Sequence, residues 1–425
     1  MPISRAWLPL LLLGGCNSGG GNGTDGGHLA DAPKHDSATP DAASVIDAPK
    51  TIDAAPEHLG SGFPLLSVEG GIAYAAAMTL GDNLTYQLDV DTGSTTLGVA
   101  GGTCSNCGVT PAYTPGLTAV DQNKSSTSTY ADGTTWTGEN FSDLVKVAGD
   151  DLDVTMRFAA MTSQTSFLLG GTQGIIGFGG PEIAVDGTDS YIAKRAAIGL
   201  SDDFAFQFCP DAGLLTFGGF DAESVAAPPQ FTPLRAISNQ QPFYEVTISQ
   251  SKIGGTSIGL TGAAVADTGT SLMIVSPQVE SATINAVQGV PAFATLFPGQ
   301  TLAENSCLDP GTHSRAEIDA ALPPMTVTLP GVGGAASFTL SAPASQSYLF
   351  PVQGGYCFGM ASVQGVPTIL GVAFLHDYVS VFERQAGKLG FATQVGCGLP
   401  AFAPHVAGAP VSTQPPHWYF RGRRT

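Results

Sequence analysis

The chain has 425 residues and a formal net charge of −19, from 16 Lys and Arg against 35 Asp and Glu. Such a balance offers no clustered basic surface for a phosphate backbone and speaks against nucleic acid as a partner. Hydrophobic residues make up 43%, enough for a packed core, while 55 Gly, 30 Pro and only 12% charged residues favour short strands and turns over long helices.

In chain order, residues 1–15 read as an export signal. Arg5 and the amino terminus supply positive charge, and the apolar run from Trp7 to Leu13 is too short to span a bilayer. It ends in Leu13-Gly14-Gly15-Cys16, which resembles a bacterial lipoprotein cleavage box with Cys16 as the lipidated residue. The plainer alternative is an ordinary signal peptide with an incidental cysteine. Seven cysteines less Cys16 leave an even set suited to an oxidising compartment. Residues 16–58 are a Gly-rich stretch followed by a loose Asp-Ala-Pro repeat, the composition of a disordered tether, with an activation pro-segment as the alternative. Residues 399–425 form a Pro-rich tail ending in Arg421, Arg423 and Arg424, also expected to be disordered.

Between these ends the texture is that of strands, at 86–90, 144–147, 204–208, 244–248 and 325–329. Helices are expected only at 189–200 and 276–287. The run at 86–90 and a short apolar run at 263–266 lead into the same tripeptide: Asp91-Thr92-Gly93, followed by Ser94, and Asp267-Thr268-Gly269, followed by Thr270. Each copy has a partner downstream, Ile175-Ile176-Gly177 and Ile369-Leu370-Gly371. Two similar halves, each with one carboxylate on a tight turn, point to a single site shared across a pseudo-twofold axis. Paired carboxylates are a means of moving protons.

The order of further motifs makes the chain resemble the pepsin-like aspartic endopeptidases over residues 63–398. After the first Asp-Thr-Gly-Ser come Cys104 and Cys107, then the flap-like Tyr130-Ala131-Asp132-Gly133-Thr134, then Gly174-Ile175-Ile176-Gly177-Phe178-Gly179. The second half supplies Phe243-Tyr244-Glu245-Val246, Ala266-Asp267-Thr268-Gly269-Thr270-Ser271-Leu272, Cys357-Phe358-Gly359-Met360 and Ile369-Leu370-Gly371-Val372-Ala373-Phe374-Leu375. The resemblance implies a mostly-β bilobal fold with lobes at 59–232 and 233–398. It implies Asp91 and Asp267 as the catalytic dyad, supported by Thr92, Gly93, Ser94, Thr268, Gly269 and Thr270. Tyr130, Asp132 and Gly133 fall at the flap that covers substrate. The implied partner is a polypeptide held by a monomer, with no cofactor and no metal. In this class two like charges share one proton, and the dyad is the standard example of that effect.

A Cys-x-x-Cys pair fits a redox or zinc motif as well as a disulfide; for Cys104 and Cys107 a small structural disulfide is the favoured reading. The resemblance pairs Cys307 with Cys357, which leaves Cys209 with Cys397. Two features depart from the family pattern. The position seven residues after the first Asp, often a Trp that supports the flap tyrosine, is Gly98 here, and Trp136 is the candidate to replace it. Asp89, two residues before Asp91, adds an unusual carboxylate on the same strand face unless local twist turns it to solvent. Asp309, His376 and Asp377 read as surface or turn residues. Two rival readings are a catalytically silent pepsin-like binding or inhibitor module and a purely structural surface lipoprotein.

Overall fold

Period-two segments of the sequence become strands, and the computed structural model is mostly β; it describes residues 62–397 apart from 82–83, 169, 236–242 and 353–354. The expected signal peptide, Cys16, the tether over 16–58 and the tail over 399–425 lie outside the described residues.

One strand arrangement occurs twice. Leu84–Asp91 runs parallel to Gly174–Gly177, which lies antiparallel to Gly98–Ala100. In the second half Gly262–Ala266 runs parallel to Ile369–Leu370, which lies antiparallel to Met273–Val275. The third strand of each set then takes a parallel neighbour, Val154–Thr165 in the first half and Met360–Ser362 in the second. The glycine after each aliphatic pair is a steric requirement. A Cβ on Gly177 would lie 2.3 Å from the Thr95 carbonyl carbon, and one on Gly371 would lie 2.2 Å from the Leu272 carbonyl oxygen. Only a residue without a side chain lets the carboxylate loop pass so closely.

The segment expected to form the flap lies at the turn of the hairpin Val120–Thr129 and Thr135–Val147, with Thr129 opposite Thr135. Its second strand also pairs with Val154–Thr165 as far as Thr135 opposite Thr165, shifting register by a bulge after Thr137.

The C-terminal hairpin, Tyr378–Glu383 with Lys388–Thr393, pairs with Phe204–Phe208 and so completes the thirteen-stranded sheet of the first half. The Cys209–Cys397 disulfide fastens this hairpin across 188 residues of sequence. Aromatic rings fill the seam. Phe204 stacks on Phe382 at 4.8 Å, Tyr244 meets Phe382 edge-on at 4.9 Å, and the Tyr244 hydroxyl donates to the Phe178 carbonyl at 2.8 Å. Each such ring contributes roughly 2–3 kcal/mol by burial alone.

His376 and Asp377 form a turn, as expected, but this seam buries it: they are 3% and 8% exposed and so are not surface residues. They follow the short helix Val372–Leu375 into the strand Tyr378–Glu383, and the sheet that receives that strand closes over them. Burial and the positive charge of Arg315 push His376 down to about 3, and burial pushes Asp377 up to about 7. Asp309 is exposed and accepts the Gly311 N–H in a turn, as expected.

The expected helices form at Tyr191–Ala197 and Pro277–Gln288, capped by the Ser190 and Ser276 side chains. Helices at Pro291–Leu296, Arg315–Ala321 and Val372–Leu375 were not anticipated. Arg315–Ala321 carried a visible start signal, the capping box of Ser314 with Glu317. The disulfides are Cys104–Cys107, Cys209–Cys397 and Cys307–Cys357.

Candidate active site

The two Asp-Thr-Gly turns meet through their threonines. Thr92 Oγ1 donates to the Ala266 carbonyl at 2.9 Å and accepts the Thr268 N–H at 3.0 Å. Thr268 Oγ1 donates to the Val90 carbonyl at 2.8 Å and accepts the Thr92 N–H at 3.1 Å. Four hydrogen bonds related by a twofold thus tie residues 176 apart in sequence, and both threonines are fully buried.

The interlock sets each carboxylate against the other turn. A Cβ on Gly93 would lie 2.6 Å from the Asp267 carboxyl carbon, and one on Gly269 would lie 2.5 Å from the Asp91 carboxyl carbon. Glycine at both places is what lets the carboxylates converge. Within each turn the bonding is matched. The Gly93 N–H and the Ser94 hydroxyl donate to Asp91 at 2.7 and 2.5 Å; the Gly269 N–H and the Thr270 hydroxyl donate to Asp267 at 2.9 and 2.6 Å.

Asp91 and Asp267 are both fully buried. Burial pushes Asp91 well above the usual carboxylate range, the charge and hydrogen bond of Asp267 push it further, and the Ser94 hydroxyl pulls it back. Asp89 adds to the upward push. It is fully buried, so twist does not carry it to solvent. The equivalent residue of the second half is Val265, so the pair sits in an electrostatically unequal frame. Two buried carboxylates thus face each other, each against the glycine of the opposite turn.

In the flap turn the Tyr130 N–H donates to the Thr134 carbonyl at 3.0 Å, and Asp132 Oδ1 accepts from the Thr134 N–H and hydroxyl at 2.8 and 2.7 Å. Gly133 supplies the left-handed residue at φ 86°. Asp132 therefore shapes the turn. The Tyr130 ring is fully buried in a cluster with Trp136, Ala159, Met161, Phe167 and Ile175. Ile175 belongs to the strand that flanks Asp91, so this cluster joins the hairpin of Tyr130 to the strand that carries Asp91.

Trp136 Nε1 donates to the Tyr130 hydroxyl at 3.1 Å. A Cβ on Gly98 would lie 3.3 Å from the Trp136 ring and 2.9 Å from Met161 Cε. The side chain missing at 98 is thus replaced by an indole reaching in from the flap strand. Phe167, whose ring centroid is 4.9 Å from that of Tyr130, carries no motif and was not anticipated.

Two buried carboxylates on interlocked Asp-Thr-Gly turns, in a mostly-β fold that repeats one strand arrangement, define an aspartic protease. Residues 73–394 match the family "Eukaryotic aspartyl protease", and the chain belongs to it. It is similar to Rhizopuspepsin-1 of Rhizopus niveus, 27% identical with 77% of this chain and 81% of that protein covered. Syncephapepsin of Syncephalastrum racemosum is 26% identical over 77% of this chain and 79% of its own length. An aspartic protease of Phaffia rhodozyma is 27% identical over 76% of each chain. The protein is an aspartic-type endopeptidase.

Proposed function

We propose that Asp91 and Asp267 hydrolyse peptide bonds of extended polypeptides through a water held between them, with the resting proton on Asp91. The observation that supports this most is the convergence of the two buried carboxylates, each against the glycine of the other turn. Burial, the charge and hydrogen bond of Asp267 and, last, the charge of Asp89 raise Asp91, which favours Asp91 as the acid.

Asp267 takes a proton from the water as its oxygen bonds to the scissile carbonyl carbon, and Asp91 gives its proton to the carbonyl oxygen. The resulting diol collapses: one hydroxyl returns a proton to Asp91, Asp267 passes its proton to nitrogen, and the C–N bond breaks. Both carboxyls end as they began. Ser94 and Thr270 hold the outer oxygens, and Tyr130 covers the bound strand and excludes water. One chain carries both halves of the dyad, so a monomer suffices.

The export signal and Cys16 extend the reading to a bacterial envelope lipoprotein, with residues 16–58 as its tether. Three disulfides suit the oxidising side of a membrane. No helix among the described residues is long and apolar enough to cross one.

The test is cleavage of an unfolded protein at acidic pH, blocked by pepstatin. Asp91→Asn and Asp267→Asn should each reduce kcat by roughly 10²–10⁴-fold or more without unfolding the chain. Full activity in either variant refutes the assignment.

A further inference from the structure

The ring of Tyr130 is held from two sides, by the Trp136 N–H on its hydroxyl and by the packed ring of Phe167. Both supports lead to Gln164. It is the cross-strand partner of Trp136, and its Oε1 accepts the Phe167 N–H at 2.6 Å. Gln164 is in turn gripped by Asn106 through three hydrogen bonds. Asn106 Nδ2 donates to the Gln164 carbonyl at 2.5 Å, the Gln164 N–H donates to Asn106 Oδ1 at 3.1 Å, and Gln164 Nε2 donates to the Asn106 carbonyl at 2.9 Å.

Asn106 lies inside the loop closed by the Cys104–Cys107 disulfide, which removes most of its freedom before the grip forms. The Ser105 N–H adds a bond to the Thr162 carbonyl at 3.3 Å, and Cys107 packs against the cluster that contains Tyr130 and Trp136. Thr165 completes the attachment: its hydroxyl accepts the Thr135 N–H at 3.0 Å and donates to the Thr135 carbonyl at 3.4 Å, next to Trp136.

We propose that the Cys104–Cys107 loop is a brace for the flap, and that Asn106 is a positioning residue for Tyr130. The proposal rests on the reading of Tyr130 as the lid over substrate. Asn106 itself is exposed and touches neither carboxylate, so its loss acts on the flap and not on the core. The brace fixes Gln164, Gln164 aligns Trp136 and Phe167, and those two aim the tyrosine. Gly98 is the space that lets the indole stand there.

Trp136 also reports on the arrangement. The chain has three Trp, and Trp7 and Trp418 lie outside the described residues, so a Trp7→Phe/Trp418→Phe background leaves Trp136 as the one indole emitter. In that background Asn106→Ala should lower kcat/KM about tenfold, within the ~10²-fold that a 1 Å misplacement costs. It should also reduce the emission change on pepstatin binding and leave the melting temperature unchanged. Asn106→Asp, which keeps the Oδ1 acceptor, should fall between. Cys104→Ser/Cys107→Ser, which frees the loop but keeps Asn106, should shift both readouts in the same direction.

Failure of the protease reading would show first, as pepstatin-insensitive turnover in the background protein or full turnover in its Asp91→Asn variant. If both controls behave, Asn106→Ala with parental kcat, KM and emission response overturns the brace. So does a loss of activity that only follows the fraction unfolded.

Discussion

Thr268→Val isolates the interlock beneath the dyad. The substitution keeps shape and removes one hydroxyl, leaving the Val90 carbonyl and the Thr92 N–H, which it now serves at 2.8 and 3.1 Å, without that partner. The site is fully buried, so water does not replace the hydroxyl. Each orphaned polar group costs about 1–3 kcal/mol, which puts the destabilisation at about 2–6 kcal/mol. Thr268→Ser retains both bonds and loses one methyl, a cost of about 1 kcal/mol. The same hydroxyl holds Gly269 against Asp91. Thr268→Val should therefore also lower kcat, by up to the ~10²-fold expected for a 1 Å misplacement. Urea unfolding at acidic pH and steady-state hydrolysis on folded protein measure the two effects. A valine variant within about 0.5 kcal/mol of the parent, or no worse than the serine variant, would refute the claim that these hydroxyls bind the loops together.

Asp89→Asn removes a charge that raises Asp91, so the basic limb of the kcat/KM–pH profile should move to lower pH; an unmoved limb would dissociate Asp89 from the dyad. Asp377 has a folded pKa of about 7 against 3.8, so its stabilising contribution is full below pH 3.8 and is lost as pH rises through 7. His376, at about 3 against 6.5, runs the other way: its contribution is full above pH 6.5 and is lost as pH falls through 3. Asp377→Asn should thus match the parent near pH 4 and exceed it by up to about 4 kcal/mol at pH 7.5; an equal difference at both pH values in urea titrations would count against this. Ser314→Ala breaks the capping box of Arg315–Ala321 and should cost about 1 kcal/mol by thermal melting, with kcat unchanged. A change in kcat would show that this helix communicates with the dyad.

The chemistry was legible because its requirements are local and occur twice. Asp-Thr-Gly after a strand, and an aliphatic pair closed by glycine, are steric and hydrogen-bonding demands that a few adjacent residues meet. Their repetition told of one site in two halves, and strand periodicity told of the β class. The capping box at Ser314 and Glu317, which starts a helix that was not expected, was equally local.

What the sequence did not contain is how distant segments come to lie together. His376 and Asp377 read as surface or turn residues; the turn is there, but the C-terminal hairpin enters the first half's sheet and buries it. Trp136 was the candidate to replace the side chain missing at 98, but only the pairing of its strand with Val154–Thr165 places the indole beside that glycine. Asn106 and Gln164 lie 58 residues apart and meet only because that strand register carries Gln164 to the disulfide loop. Short-range sterics wrote the two carboxylates into the sequence; the register of long strands, a property of the assembled sheet, decided what surrounds and braces them.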